Sequence, residues 1–152
     1  MADVFSERKR SEVMSRIRSK DTEPEKLVRK ALHGLGYRYR LHDKSLPGKP
    51  DLKLAKFKAV IQINGCFWHG HGCHLFKMPR SSKEYWTQKI ANNKKRDELN
   101  RQKLLEENWR VLEVWECALK GKKRLDMEKL FNKIENWLLS CNQFKSIEGK
   151  TK

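Results

Sequence analysis

The chain has 152 residues, and 35 Lys and Arg against 19 Asp and Glu give it a formal net charge of +16. That length buries one core of ordinary size, so a single domain over residues 1–152 is expected, without disulfides. No apolar run reaches membrane-spanning length, the start is polar, and the four cysteines suit a reducing, cytoplasmic setting, while basic residues spread from end to end favour nucleic acid over a membrane surface as partner.

In chain order, the segment from Glu7 to Ser19 sets Val13, Met14 and Ile17 on one helical side among arginines and lysines, which predicts a basic arm over residues 1–20. A second helix starts at Thr22, where TEPE supplies a Thr cap, Pro24 in the first turn and Glu25 at the capping-box position; Gly36 ends it. Tyr37 to Leu41 alternates like an edge strand, SLPGKP turns, and DLKLA and FKAVIQIN predict two further strands closing at Asn64. From Ser82 a helical pattern runs to about Asn108 with a break expected at Asn92 and Asn93, followed by a strand from Arg110 to Glu116. An amphipathic helix is expected over Asp126 to Cys141, with Cys141 in the core beside Trp137 and Leu138, and residues 143–152 read as a fraying, disordered tail. The order ααβββαβα implies an α/β fold, a mixed central sheet flanked by helices with AVIQI at its centre.

Between positions 65 and 74 the chain reads GCFWHGHGCH, holding two of its four cysteines and three of its five histidines. Gly65, Gly70 and Gly72 make this segment irregular, a poor setting for inert core residues and a good one for wrapping an ion. Cys66, His71 and Cys73 offer two thiolates and an imidazole, a set that suits tetrahedral Zn²⁺, and Cys117, closing the run VLEVWE, is the candidate fourth ligand. His74 stands as an alternative to His71.

Asp51 follows Pro47, Gly48 and Pro50 and opens a strand directly after a stiff turn. It reads either as a turn residue or as a ligand to a hard divalent cation such as Mg²⁺, which accepts one carboxylate plus phosphate oxygens and waters. His69, held in the loop between two zinc ligands, is placed to accept a proton at neutral pH. Glu25 is either a cap or a carboxylate holding waters of the catalytic ion, and spacing favours the cap. Phe67 and Trp68 are expected to be exposed, since neighbours in a glycine-flanked loop do not easily share a packed face; Trp86 and Tyr85 read as core or as base-stacking rings.

The segments MSRIRSKDTEPE, LPGKPDL, GCFWHGHGCHLFK and WRVLEVWECALKG, spanning roughly Ser11 to Trp137, strongly resemble the very short patch repair (Vsr) DNA mismatch endonucleases. The resemblance implies a restriction-endonuclease-like core and a bacterial enzyme working at the nucleoid that nicks one strand beside the thymine of a T·G mismatch. By position it assigns the catalytic metal to Asp51 and the backbone carbonyl of Ile63, the general base to His69 and a motif carboxylate to Glu25, with zinc on Cys66, His71, Cys73 and Cys117. It makes Phe67, Trp68 and Trp86 an intercalating wedge and sends Met14 and Ile17 into the opposite groove. Members of that family usually carry His or Asp where this chain has Asn64, which hydrogen-bonds a phosphate without carrying charge. A zinc-stabilised DNA-binding module without catalysis, or a restriction-type enzyme cutting paired DNA, fits the same composition, and a cut in one strand needs no two-fold dimer.

Overall fold

The computed structural model describes residues 22–150; the predicted arm, with Met14 and Ile17, lies outside the described residues. Thr22 caps helix α1 (Glu23–Gly34), its Oγ1 accepting from the Glu25 N–H at 3.4 Å, and Glu23 and Glu25 complement the positive end of the helix. Gly36, at φ 97°, turns the chain out, while the Tyr37 N–H returns to the Leu32 carbonyl at 3.0 Å and closes the helix end.

Strands β1 (Arg40–Leu41), β2 (Leu52–Leu54) and β3 (Ala59–Asn64) follow; then come the long helix α2 (Lys83–Glu106), β4 (Arg110–Trp115), the single turn α3 (Glu116–Leu119), helix α4 (Met127–Leu138) and β5 (Phe144–Ile147). The five strands lie in sequential order, β1–β2 and β2–β3 antiparallel, β3–β4 and β4–β5 parallel. The parallel pairs demand crossovers, which α2 supplies between β3 and β4 and α4 between β4 and β5. The expected α/β mixed sheet flanked by helices is therefore what the chain forms.

Alternation along β3 and β4 divides the sheet into two faces. Ala59, Ile61, Leu112 and Val114 join Val28 and Leu32 of α1 and Leu130, Ile134 and Trp137 of α4 in the larger core. Val60 and Val111 pack with Leu104 of α2 in a smaller one. Farther along that second face the pattern turns polar, to Gln62, Asn64 and Glu113, and this gradient leaves room for chemistry at the ends of β3 and β4. Arg110 ties α4 to the sheet: its guanidinium lies 4.3 Å from the Trp137 ring and donates to the carbonyls of Trp137 at 2.5 Å and Leu138 at 3.2 Å, while its Nε donates to Asn142.

Several expectations are corrected. The strand read over Tyr37 to Leu41 is ordered as a strand only at Arg40–Leu41, and FKAVIQIN loses its first residues to a 3₁₀ turn, Ala55–Phe57, followed by Lys58 at φ 52°. Helix α2 runs without the break expected at Asn92 and Asn93, because the buried Asn93 donates its side-chain N–H to the Trp68 carbonyl at 2.9 Å. Helix α4 stops at Leu138, so Cys141 falls outside its apolar stripe and is exposed instead of core. The tail reading fails for residues 144–147, which pair with β4 from Val111↔Phe144 to Val114↔Ile147; a four-residue run with one buried side chain carries too little alternation to announce itself. Among the described residues no helix is long and apolar enough to cross a membrane.

Candidate active site and metal centre

Among the described residues, two clusters of side chains that could ligate a metal hang from one end of the sheet. The register pairs Asn64 with Trp115, so the loop leaving β3 and the turn leaving β4 start side by side, and Cys66 meets Cys117. Glu116 reinforces the junction by accepting the Cys66 N–H at 3.1 Å. Cys66 Sγ and Cys117 Sγ each lie 3.7 Å from His71 Nδ1, and with Cys73 the four donors sit within 4.8 Å of one another. A tetrahedral ion with bonds of about 2.3 Å to sulfur and about 2.0 Å to nitrogen separates such donors by about 3.5 Å, so this Cys₃His set fits a zinc-type cation.

Electrostatics agree with that fit. Burial pushes the Cys66 and Cys117 thiols up; burial acts the same way on Cys73, but hydrogen bonds with His71 and the Leu75 N–H hold it below the usual thiol range. Three thiols so close cannot all ionise without a cation between them. His71 is oriented by stacking on Trp115, ring centroids 4.2 Å apart, and by a 2.9 Å hydrogen bond from its Nε2 to Glu148. The Gly149 N–H points at Cys117 Sγ at 3.3 Å, and a Cβ at Gly149 would stand 2.5 Å from the Cys117 carbonyl oxygen, so only glycine lets the chain approach this closely. His74, the alternative ligand, lies against Gly121 and outside the cluster.

The second cluster joins three segments. Asp51 precedes β2, beside the outgoing end of β3; its Oδ2 accepts the Ile63 N–H at 2.7 Å and its own N–H donates to Gln62 Oε1 at 3.3 Å. Glu25, only 2 % exposed, reaches from the first turn of α1 to His42, Oε2 to Nε2 3.0 Å, and His42 Nε2 lies 3.8 Å from Asp51 Oδ1. Its backbone N–H serves the cap while its carboxyl enters this site, so the cap reading alone is too narrow. Burial, and next the charge of Glu25, push Asp51 up to about 8. Two carboxylates and an imidazole with all donor atoms within 4.8 Å suit a divalent cation, which removes the penalty of burying like charges.

His69 stands in the loop between Cys66 and His71, and its Nδ1 hydrogen-bonds Asp97 of α2. A carboxylate accepting at Nδ1 fixes the tautomer with its lone pair on Nε2, the form that takes up a proton. Asp97 belongs to a stripe of α2 that also carries Trp86, Ile90, Asn93 and Leu104, all buried, and Arg101, which donates to the buried Glu113 at 3.2 Å. Asn64 ends β3 nearby, 7 % exposed.

The aromatic loop is packed more than expected. The His69 N–H bonds the Gly65 carbonyl, and the His71 N–H that of Cys66, so the loop winds back like a helical turn. Phe67 and Trp68 are consequently half-buried, with centroids 5.4 Å and 5.8 Å from Trp86. Trp86 is the buried floor of this group, whereas Tyr85 beside it is 58 % exposed. Gly70, at φ 63°, permits the closure: a Cβ there would meet Ile90 at 2.7 Å.

His42 and Asp97 escaped the sequence reading. His42 belongs to no motif and reaches the site only because β1 pairs with β2. Asp97 left a signal in the helical spacing of 86, 90, 93 and 97, three of whose residues sit at buried positions.

Residues 2–75 match the family described as DNA mismatch endonuclease Vsr. The chain is 44 % identical over 151 residues to DNA mismatch endonuclease Vsr of Escherichia coli (strain K12), covering 99 % of this chain and 96 % of that one. It is 48 % identical over 122 residues to the type II nicking enzyme V.NmeAIP of Neisseria meningitidis serogroup A (80 % and 87 % covered) and 47 % identical over 119 residues to V.XorIIP of Xanthomonas oryzae pv. oryzae (78 % and 88 %). Near-complete overlap at that identity, on a chain whose loops gather a Cys₃His cluster and a carboxylate pair at one sheet end, means that it belongs to the DNA mismatch endonuclease Vsr family of nucleases.

Proposed function

We propose that the chain nicks one strand of duplex DNA beside the thymine of a T·G mismatch, as arises when 5-methylcytosine deaminates, acting as a monomer with Mg²⁺ as catalytic cation and Zn²⁺ as structural cation. The observation that carries this reading is the convergence of the Glu25–His42–Asp51 donors with the Asp97-oriented His69 at one end of the sheet. Net charge +16 supports capture of the DNA backbone.

Asp51 and Glu25, with the Ile63 carbonyl, would hold the catalytic cation. When bound, such an ion polarises the scissile phosphate and neutralises the leaving alkoxide. His69 accepts a proton from the attacking water at Nε2, and Asp97 stabilises the imidazolium so formed; the products carry a 3′-hydroxyl and a 5′-phosphate. Asn64 hydrogen-bonds a phosphate oxygen. Phe67 and Trp68, backed by Trp86, enter next to the mispaired step, where unstacking costs a few kcal/mol and a weakened pair reduces that cost. Zinc held by Cys66, His71, Cys73 and Cys117 would fix the loop that carries Phe67, Trp68 and His69, against Trp86 of α2. Met14 and Ile17 approach from the other groove.

Incubating the protein with Mg²⁺ and duplexes that are matched, methylated or T·G mismatched tests the reading. A single nick confined to the mismatch supports it; a double break in matched DNA, or binding without cleavage, overturns it. Asp51→Ala and His69→Ala should each abolish nicking and leave mismatch binding in place.

A further inference from the structure

We propose that His42 is a nitrogen ligand of the acidic site, so that this site binds a divalent transition-metal cation such as Mn²⁺ more tightly than Mg²⁺. The inference rests on the reading of Glu25 and Asp51 as a cation site. Nothing in the motifs of the chain pointed to His42, yet the fold delivers its Nε2 into the middle of the carboxylate pair, 3.0 Å from Glu25 Oε2 and 3.8 Å from Asp51 Oδ1. Adjacent ligands of a six-coordinate ion with bonds of about 2.1 Å stand about 3.0 Å apart and opposite ones about 4.2 Å, so the 3.0 Å separation matches an edge of a coordination shell and the 3.8 Å one falls within its span.

The ring is also held there. Its side chain is 13 % exposed, and the His42 N–H donates to the Asp51 carbonyl at 3.2 Å, tying the imidazole to the carboxylate it accompanies. A hard ion such as Mg²⁺ prefers oxygen and gains little from imidazole in place of water, whereas Mn²⁺, Fe²⁺ and Co²⁺ gain progressively more along the affinity order of divalent metals. Oxygen donors from Asp51, Glu25 and Ile63 still serve Mg²⁺; His42 changes which ion wins at equal concentration.

The test uses the full chain with its Cys₃His metal in place, titrated with Mn²⁺ and followed by electron paramagnetic resonance. The expected result is a ¹⁴N coupling from bound Mn²⁺ that disappears in His42→Asn, a residue type that tolerates the left-handed backbone at this position (φ 49°), and likewise in His42→Gln. Mn²⁺ affinity should fall about tenfold or more in both variants, while Mg²⁺ affinity, read by competition, changes less than about twofold. Absence of the ¹⁴N coupling in the unmodified protein, or equal losses for both cations, would show that His42 only hydrogen-bonds Glu25 and overturn the proposal. Mn²⁺ binding unaffected by Asp51→Asn would instead overturn the cation-site reading beneath it.

Discussion

The Glu148 carboxylate accepts a 2.9 Å hydrogen bond from His71 Nε2 across 77 residues of chain, so the C-terminal segment braces the Cys₃His cluster. Carboxylates placed this way fix the ring of a ligating histidine and raise its basicity. Glu148 is half-exposed, so Glu148→Gln should weaken retention of a cation by the cluster roughly tenfold, the low end of the range for such partners. A chain ended at Gln143 also loses the Gly149 N–H on Cys117 and should lose more. Competition against a chromophoric chelator measures both, and equal retention in all three proteins would make the contact idle.

Asp97→Asn should lower the nicking rate roughly 10²-fold or more, because an amide no longer fixes the His69 tautomer or stabilises its charged form. Mismatch binding should be unchanged, since Asp97 faces His69 from within α2. Single-turnover cleavage beside a gel-shift titration separates the two; full activity would leave His69 independent of its partner.

Cation binding should depend on pH through Asp51. Burial and Glu25 raise it to about 8 in the metal-free fold, whereas an unfolded chain ionises near about 4. The native state therefore holds more protons in that window, and the metal-free protein loses stability as pH rises from about 4 to about 8. A bound cation displaces the proton, so apparent affinity should climb up to tenfold per pH unit and level off above about pH 8. Calorimetric titration across this range checks it; a flat profile would mean that Asp51 is already ionised.

Asn64→His should raise the nicking rate by placing at the end of β3, 7 % exposed, a donor able to carry positive charge beside a phosphate, where the neutral amide offers only a hydrogen bond. An unchanged rate would assign Asn64 a passive role.

Arg110→Met should cost about 2–4 kcal/mol, because it leaves the carbonyls of Trp137, Leu138 and Asn142 without their charged donor at the end of α4. Denaturant unfolding with an unchanged slope would place the loss in the native state.

Much of this architecture was legible because its signals are local. The TEPE cap, the Gly36 stop and the AVIQI strand each depend on neighbours within a few residues, and the dense Cys/His loop announced the cluster before its geometry was known. What escaped depends on distant pairing. Strand β5 exists because β4 offers it a parallel edge, His42 arrives through the β1–β2 pair, and Cys141 is exposed because Leu138, not Cys141, is the last residue of its helix. The half-burial of Phe67 and Trp68 follows from one left-handed glycine that folds their loop onto α2.

The four residues of the Cys₃His cluster leave the ribosome at different times. Cys66, His71 and Cys73 emerge well before Cys117, and Glu148 and Gly149 come last, because parallel β3 and β4 must be bridged by the whole of α2. A nascent chain cannot gather the four donors until both strands and the crossover are made, so any cation held by the cluster would wait on non-local folding and its slow kinetics. A chain stopped before Cys117 carries only three of the four donors, so its thiols stay open to oxidation.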